Sequence, residues 1–476
     1  MKTHLKHILP VLALLALVTS FDCTKVFNEV ENIIITGNVT LEGVSDYSNI
    51  TVALYHPADL DTAIVNMHKR FPSVGFELTQ AAVFDHREAE PIYTTKTGKD
   101  GAYRFDNIPD GVYNVVASKD GYGWRYIYNV DSKTAPADVR LQPEIVVDGD
   151  LGAYTAWGAY QHIIVKGDVI VPENGQLIID KGVVVRFEGN TGLENSGSLK
   201  VNGEADAFVW FTLNQIELGS NWSGIEVRDK SSNADLKWAR VDNGLNGILC
   251  RGATANIEFC FIEKNKQNGV FVASEGQANI KNNLISDCAI NLYAESKSII
   301  KVEHNIIFKT NNSIAVDGVV SAGSESEINS NCICRLNKGI KIEFESVTAI
   351  NNNYITYCET GLYLGSTYGI TQCWVTLNTI YNIYQYPIEI HSNIQHSISQ
   401  NNLSKSDINI LLIAFGFVPK EPTSILVPNN YWGCTSNDDI YNMIQDKRYN
   451  NENNFFNDKV MIEPISLNEF NNAYPK

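Results

Sequence analysis

Six side chains suited to sugar recognition or acid–base catalysis recur at matching places in successive segments of this 476-residue chain. They are Asp317, Lys341, Glu343, Tyr363, Glu389 and His391. Carboxylates and a histidine can transfer protons, a lysine can neutralise an anion, and a tyrosine joins a polar hydroxyl to an apolar ring. If the segments are neighbouring strands of one parallel sheet, about 4.8 Å apart, these residues lie on four successive strands. The sequence therefore predicts one ligand-binding face.

Three interpretations of this face remain open. Glu343 and Glu389 would lie about 10–12 Å apart, which is somewhat beyond the carboxylate spacing of an inverting glycosidase. The face could be a solvated surface with cross-strand charge pairs, such as Lys341 diagonal to Asp317. It could bind sugar through a tyrosine platform flanked by acids. It could also carry a catalytic site.

The elements that would position these residues are short strands of the form small–apolar–any–apolar. From Ile225 to Ile408 the pattern passes through eight intervals, a mean of about 23 residues. Its copies are residues 224–227, 247–250, 269–272, 289–292, 313–316, 339–342, 361–364, 387–390 and 407–410. Alternate residues of a strand face outward, so side chains at the same place in successive copies form a column on the sheet. One predicted column contains Asn291, Ala315 and Lys341. The column two residues further along contains Tyr293, Asp317 and Glu343.

A second strand with the pattern apolar–any–any–Asn keeps the same interval. Its asparagines are Asn283, Asn305, Asn331, Asn353, Asn378 and Asn401, with Cys260 at the equivalent earlier place. One repeat cannot bury its apolar residues alone, so successive repeats must stack, each strand pairing in parallel with its copy. Stacked asparagine amides can hydrogen-bond along the stack and satisfy backbone groups at a bend. No helical period fits between the strands, which argues against helical or leucine-rich repeats.

The region 145–430 resembles the right-handed parallel β-helix, pectate-lyase-like superfamily of exported bacterial proteins, and 431–476 resembles its C-terminal cap. The resemblance implies an all-β fold in which ligands lie along the outward face of one sheet. It is specific for fold and carries no activity by itself.

Residues 33–142 carry a different signature. The stretches 97–105 (TGKDGAYRF), 108–113 (IPDGVY) and 120–122 (DGY) alternate strands with tight turns. They resemble the carboxypeptidase-regulatory-like, transthyretin-like domain, with an unusually long insertion between Tyr55 and Tyr93. This resemblance implies a small β-sandwich that acts as a spacer or adhesive module.

Known catalytic patterns of β-helix enzymes are largely missing. Polygalacturonase-like enzymes carry paired aspartates, Gly-His-Gly and Arg-x-Lys on successive coils. Only Arg-x-Lys has a match here, at 228–230, and the one Asp-Asp pair, 438–439, lies in the predicted cap. Asp148-Gly149-Asp150 is too short for a calcium loop.

The N-terminus predicts export. Residues 1–22 combine a basic start with a short apolar stretch, which is typical of a signal peptide. Cys23 follows where a lipid-modified cysteine would stand, although Ser20-Phe21-Asp22 is a poor lipobox. The remaining eight cysteines show no metal-ligand spacing, so we expect them to be buried apolar residues and expect no metal site or cofactor.

A net charge of −17 argues against nucleic acid as a partner. The sequence favours a non-catalytic secreted or cell-envelope protein, a rigid rod that binds a polysaccharide or a surface protein. A lipid on Cys23 would be its only membrane contact. The alternative is a polysaccharide lyase or glycoside hydrolase acting on the outward face of the β-helix.

Overall fold

The computed structural model describes residues 32–476 except 134–135, 137, 311–315, 366–370, 392–393, 404–411, 416–423, 447 and 449–458. The predicted signal segment and Cys23 lie outside the described residues. Within the described part of the chain, no helix has the length and apolar character needed to cross a membrane.

Two small sheets open the fold. Their strands are β1 (Asn32–Leu41), β2 (Thr51–Tyr55), β3 (Tyr93–Lys96), β4 (Ala102–Pro109), β5 (Tyr113–Lys119), β6 (Tyr122–Val130) and β7 (Val139–Leu141). One sheet has the order β4-β1-β7 and the other β3-β2-β5-β6. Alternate residues of β4, Tyr103 and Phe105, point into a core shared by both sheets. Small sheets therefore precede the repeats, whereas membership of the transthyretin-like family stays a prediction.

The insertion between β2 and β3 contains the only helical segments described before the repeats. They are α1 (Thr62–Arg70), α2 (Gln80–Val83) and a 3₁₀ turn, His86–Glu88. Asp61 caps α1, because its carboxylate accepts hydrogen bonds from the backbone N–H groups of Ala63 and Ile64.

The rest of the chain winds into a parallel β-solenoid with three strands in each coil. Sheet I contains β13 (Gly192–Asn195), β16 (Gly224–Arg228), β19 (Asn246–Arg251), β22 (Asn268–Ala273), β25 (Ile290–Glu295), β28 (Asp317–Ala322), β31 (Lys338–Glu343), β34 (Thr360–Leu364), β37 (Tyr386–His391) and β40 (Leu412–Phe415). Sheet II contains β9 (Tyr154–Trp157), β11 (Gln176–Asp180), β14 (Ser198–Asn202), β17 (Asn233–Lys237), β20 (Thr254–Glu258), β23 (Gln277–Lys281), β26 (Ile299–Glu303), β29 (Glu325–Asn329), β32 (Val347–Asn351), β35 (Thr371–Thr376) and β38 (Ile394–Ser399). Sheet III contains β12 (Val184–Phe187), β15 (Val209–Leu213), β18 (Ala239–Asp242), β21 (Phe261–Glu263), β24 (Leu284–Ser286), β27 (Ile306–Phe308), β30 (Cys332–Cys334), β33 (Tyr354–Thr356), β36 (Thr379–Tyr381) and β39 (Asn402–Leu403).

The two ends of the solenoid are closed by additional elements. At the start, β8 (Ile145–Asp150) pairs with the long strand β10 (His162–Val171), which then pairs with both β12 and β13. At the far end lie β41 (Ser424–Leu426), α3 (Asn437–Asn442), β42 (Ile444–Gln445) and β43 (Lys459–Met461). Trp432, Ile440 and Ile462 of this segment pack against the interior of the solenoid. The last coil thus has its apolar interior covered.

The predicted asparagine stack is confirmed. Asn353 is typical of its members: its Nδ2 donates to the carbonyl of Ile328 (2.8 Å) and to Asn378 Oδ1 (2.9 Å), and its Oδ1 accepts from the backbone N–H of Asn331 (2.9 Å). The same pattern runs from Asn283 to Asn430, and the backbone N–H of Cys260 donates to Asn283 Oδ1. Each fully buried amide thus satisfies backbone groups at the bend between sheets II and III.

The cysteine prediction is also confirmed for the described residues. All eight described cysteines are free thiols, and seven of them are buried in the solenoid. They fill space as small apolar side chains.

The insertion covers the outward face of sheet III. Strands β24, β27 and β30 are buried on both faces, so they show no polar alternation. Their outward side chains, such as Leu284 and Phe308, pack against Ile64, Phe71 and Phe76 of the insertion. The C-terminal residues extend this cover, with Tyr474 lying against Phe71 and Tyr354. Consequently sheets I and II, but not the middle of sheet III, present open outward faces.

Candidate functional site: a polar strip on sheet I

The strand register aligns most of the predicted site on the outward face of sheet I. Lys341 pairs with Tyr363, and Tyr363 with Glu389, on the consecutive strands β31, β34 and β37. Glu343 and His391 stand two residues further along β31 and β37 and face the same way. Five of the six predicted residues therefore form one group, which we call the polar strip together with Tyr293 and Glu295 of β25.

The predicted register was wrong between residues 289 and 317. Phe271 pairs with Tyr293 rather than Asn291, and Tyr293 pairs with Val320, which pairs in turn with Lys341. Asn291 occupies the place that glycine holds in the preceding coil, where its buried Nδ2 donates to the carbonyl of Phe308 (3.1 Å). The small-residue rule therefore placed this strand two residues too early. Ala315 lies outside the described residues.

Asp317 does not join the strip, which corrects the sequence prediction. It opens β28, one residue before Gly318 takes the glycine place. Its Oδ1 accepts a hydrogen bond from Asn337 Nδ2 (2.8 Å) and one from the backbone N–H of Lys338 (3.3 Å). The carboxylate thus stabilises the turn that leads into the next coil. The expected diagonal pair between Asp317 and Lys341 is not formed, because Lys341 pairs with Glu343.

The ionisable groups of the strip are paired within single strands. Lys341 Nζ lies 2.8 Å from Glu343 Oε2, and His391 Nε2 lies 2.8 Å from Glu389 Oε1. The hydroxyl of Tyr293 donates to Glu295 Oε2 at 2.7 Å. All three pairs join residues two apart, which a strand places on the same face. These partly buried donor–acceptor pairs thus lie on every second strand of this part of sheet I, namely β25, β31 and β37.

Tyr363 occupies the centre of the strip. Burial and the charges of Glu343 and Glu389 raise its pKa to about 12, so its hydroxyl stays protonated at neutral pH and can donate a hydrogen bond. The amines of Lys338 and Lys341 lie 4.9 and 5.7 Å from its ring centroid. The His391 ring lies 4.7 Å away. Tyr363 therefore has charged and aromatic neighbours from the coils before and after it.

Toward the N-terminal coils the same face becomes aromatic and then ionic. The rings of Phe271 and Tyr293 stack at 5.1 Å with an interplanar angle of 9°. Further on, Arg228 contacts Glu226 (2.5 Å) and Glu194 (3.1 Å). The Arg-x-Lys match thus begins with an arginine held in a local ion-pair network.

Sequence reasoning missed Glu295 as a member of the strip. The alternation of Leu292 and Ala294 inward with Tyr293 and Glu295 outward was the available signal, and the slipped register hid it. Among the described residues, no group of three or more histidine, cysteine, aspartate or glutamate side chains is arranged to hold a metal ion.

Comparisons with known proteins agree with this architecture. A family model described as the right handed beta helix region matches residues 198–333, from β14 into β30. The main body of this chain is a right-handed parallel β-helix. A crystal structure of a mutant of the periplasmic alginate epimerase AlgG aligns over 67% of this β-helix chain and 78% of that chain, at 11% identity and a TM-score of 0.31. A likeness at that level carries no argument about function. No curated protein sequence matches the chain.

Proposed function

We propose that this protein is a non-catalytic carbohydrate-binding protein of the cell envelope, which holds an extended, uncharged polysaccharide along the polar strip. The observation that carries the proposal is the run of partly buried polar groups on β31, β34 and β37, in which a protonated tyrosine on β34 lies between the donor–acceptor pairs of β31 and β37. Preorganised polar groups beside aromatic rings suit sugar hydroxyls, because they fix orientation at little entropic cost.

The periodicity of the fold supports an extended ligand. Neighbouring coils are about 4.8 Å apart, close to the length of one monosaccharide in an extended glycan chain. Because the donor–acceptor pairs lie on alternate coils, every second sugar of such a chain could meet one pair. Such repetition gives affinity by summing weak contacts along a single chain.

The charges of the strip favour an uncharged ligand. Glu295, Glu343 and Glu389 supply three carboxylates, whereas Lys338 and Lys341 supply two amines. The whole chain adds a net charge of −17. A polyanion such as a polyuronate would be repelled by this surface.

The pairing also favours binding over catalysis. Glu343 and Glu389 lie two coils apart and two residues out of line, about 10–12 Å by sheet geometry, which exceeds the separation used by inverting glycosidases. The amine of Lys341 is occupied by Glu343, and Tyr363 is a proton donor rather than a base at neutral pH.

The alternative is a polysaccharide lyase or glycoside hydrolase. It is favoured by one contact set, in which Glu389 holds the imidazole of His391 while that ring lies against Tyr363. A carboxylate-oriented histidine beside a tyrosine hydroxyl could act as a base and acid pair.

A glycan array and a depolymerisation screen on the complete mature chain would test both proposals. We expect binding to an uncharged polysaccharide without product formation, weakened about tenfold or more by Tyr363→Phe or Glu343→Gln. Glu327→Gln is the matched control, since Glu327 is an exposed glutamate on sheet II. Product formation lost in Glu389→Gln would establish the enzymatic alternative. Absence of both binding and turnover would refute a role in carbohydrate recognition.

Export and anchoring belong to the same proposal. The basic, apolar N-terminus and Cys23 support an exported protein, tethered by a lipid on that cysteine or released after cleavage. Mass spectrometry of the mature N-terminus decides between them: a diacylglyceryl group on Cys23 means a lipoprotein, and an unmodified N-terminus means a released protein.

A further inference from the structure

A second concave site lies where the N-terminal sheets meet the first coils. It is a cleft of about 400 Å³ bordered by β6, β10, β12 and β15. Its walls are rich in aromatic rings, namely Trp124, Tyr126, Tyr128, Tyr160 and Trp210. Three of these rings come from alternate residues of β6, so one face of that strand is directed at the solenoid.

Three polar groups of this cleft lack partners. His162 is 1% exposed, and its Nδ1 has no hydrogen-bond partner among the described residues. The buried indole Nε1 of Trp124 is likewise unpartnered there. The Arg125 guanidinium makes no hydrogen bond or ion pair with any described residue, and it lies 3.7 Å from the Tyr160 ring centroid. Buried polar atoms without partners are unfavourable, which makes the His162 and Trp124 nitrogens notable, whereas Arg125 is only partly buried and its guanidinium can meet a ligand.

The other charged side chains that line the described cleft are Arg240 and Asp206. Arg240 is bound by Asp242 (2.9 Å) and Glu263 (3.2 Å). Asp206 is an exposed carboxylate on the rim. Arg125 is therefore the one cation lining the described cleft that has no carboxylate partner, and burial lowers its pKa.

The backbone conformation at Tyr160 places the ring of this residue against the Arg125 guanidinium. Tyr160 has a φ of 62°, a left-handed conformation that is uncommon for a bulky residue. Its ring lies over Gly182, where an added Cβ would come within 2.2 Å of the ring. Glycine at this position allows the close approach, and Tyr160 then supports one face of the guanidinium.

We propose that this cleft binds a small ring compound bearing a carboxylate, such as a uronic acid monosaccharide, with the carboxylate on Arg125 and the ring against the aromatic walls. Arginine recognises carboxylates through charge-assisted hydrogen bonds, and aromatic faces pack against sugar rings. The indole of Trp124 and the imidazole of His162 lie edge to face, 4.7 Å between ring centroids, and form the closed end of this aromatic wall. This site is separate from the polar strip, so it stands or falls independently of the proposed function.

Tryptophan fluorescence of the complete mature chain tests the proposal, because Trp124 and Trp210 line the cleft. Galacturonate and glucuronate are titrated in, with galactose and glucose as uncharged counterparts. We expect a saturable change for the uronates and a much weaker one for the uncharged sugars. Arg125→Gln should weaken uronate binding by at least about tenfold, whereas Arg140→Gln, an exposed arginine outside the cleft, should leave it unchanged.

A second variant distinguishes weaker binding caused by the loss of Arg125 from weaker binding caused by misfolding. Asp206→Asn removes a like charge from the rim and should tighten uronate binding several-fold, which a damaged fold would not do. The proposal is overturned if no uronate binds, if Arg125→Gln binds as well as the unmodified chain, or if uncharged sugars bind equally well.

Discussion

The buried asparagine stack allows a sharp test of how the coils are held together. Replacing Asn353 with alanine removes an amide that makes hydrogen bonds to three neighbours. The backbone N–H of Asn331 and the carbonyl of Ile328 lose their side-chain partner. Two buried backbone groups left unsatisfied, at about 1–3 kcal/mol each, give a loss of about 2–6 kcal/mol in the free energy of unfolding.

The matched control is Asn279→Ala. Asn279 also donates its amide to the asparagine of the preceding coil, Asn256 Oδ1, at 2.8 Å, but it does so on the exposed face of sheet II. Water can replace that bond, so we expect a loss within about 0.5 kcal/mol.

Urea denaturation of the two variants and the unmodified chain measures the difference, with amide hydrogen exchange reporting whether the Asn331 N–H becomes less protected. The reasoning is refuted if Asn353→Ala unfolds at the same urea concentration as Asn279→Ala.

Three further predictions concern single side chains. Arg240→Met leaves the buried carboxylates of Asp242 and Glu263 without their arginine and should destabilise the protein by about 3–5 kcal/mol, measured as a lower denaturation midpoint; an unchanged midpoint would contradict the pairing. Of the described cysteines, Cys434 should be the first to react with iodoacetamide in the native state, because it is the only one of them that is not buried; peptide mapping identifies the labelled site, and earlier labelling of Cys250, whose pKa burial raises to about 11, would contradict this. Difference absorbance between wild type and Tyr363→Phe should show this tyrosine ionising near pH 12, and titration near pH 10 would contradict its burial between two carboxylates.

Much of the solenoid could be predicted because its sequence signal is local and repeated. An apolar–any–apolar strand and a following asparagine specify an inward face and a bend, and both recur at nearly constant intervals. The site followed from the same pattern at Gly339 and Gly361, whereas in the coil of Gly318 the pattern was assigned to 313–316 instead. It failed where Asn291 stood in the place of the glycine, since a buried, hydrogen-bonded amide can replace glycine without appearing in a rule based on small residues.

The cover over sheet III could not be predicted in this way. The covered strands β24, β27 and β30 are three residues long and buried on both faces, so they lack the alternation that marks an exposed side. Runs such as 306–308 are apolar throughout, but nothing local identifies a partner more than two hundred residues away in the chain. The partner is the long insertion between Tyr55 and Tyr93. Its packing on the coils accounts for its length, and the sequence alone does not show this packing.

The position of that cover in the chain has a consequence for biogenesis. Synthesis proceeds from the N-terminus, so the segment containing Phe71 and Phe76 emerges before every coil it covers. Each new coil can then pack against a segment that has already been synthesised. The apolar side chains on its outward face are covered as soon as the coil forms. A circular permutation that moves residues 33–142 to the C-terminus would leave the same insertion to cover the same coils but would reverse this order. Such a permuted chain should aggregate during production while remaining stable once folded.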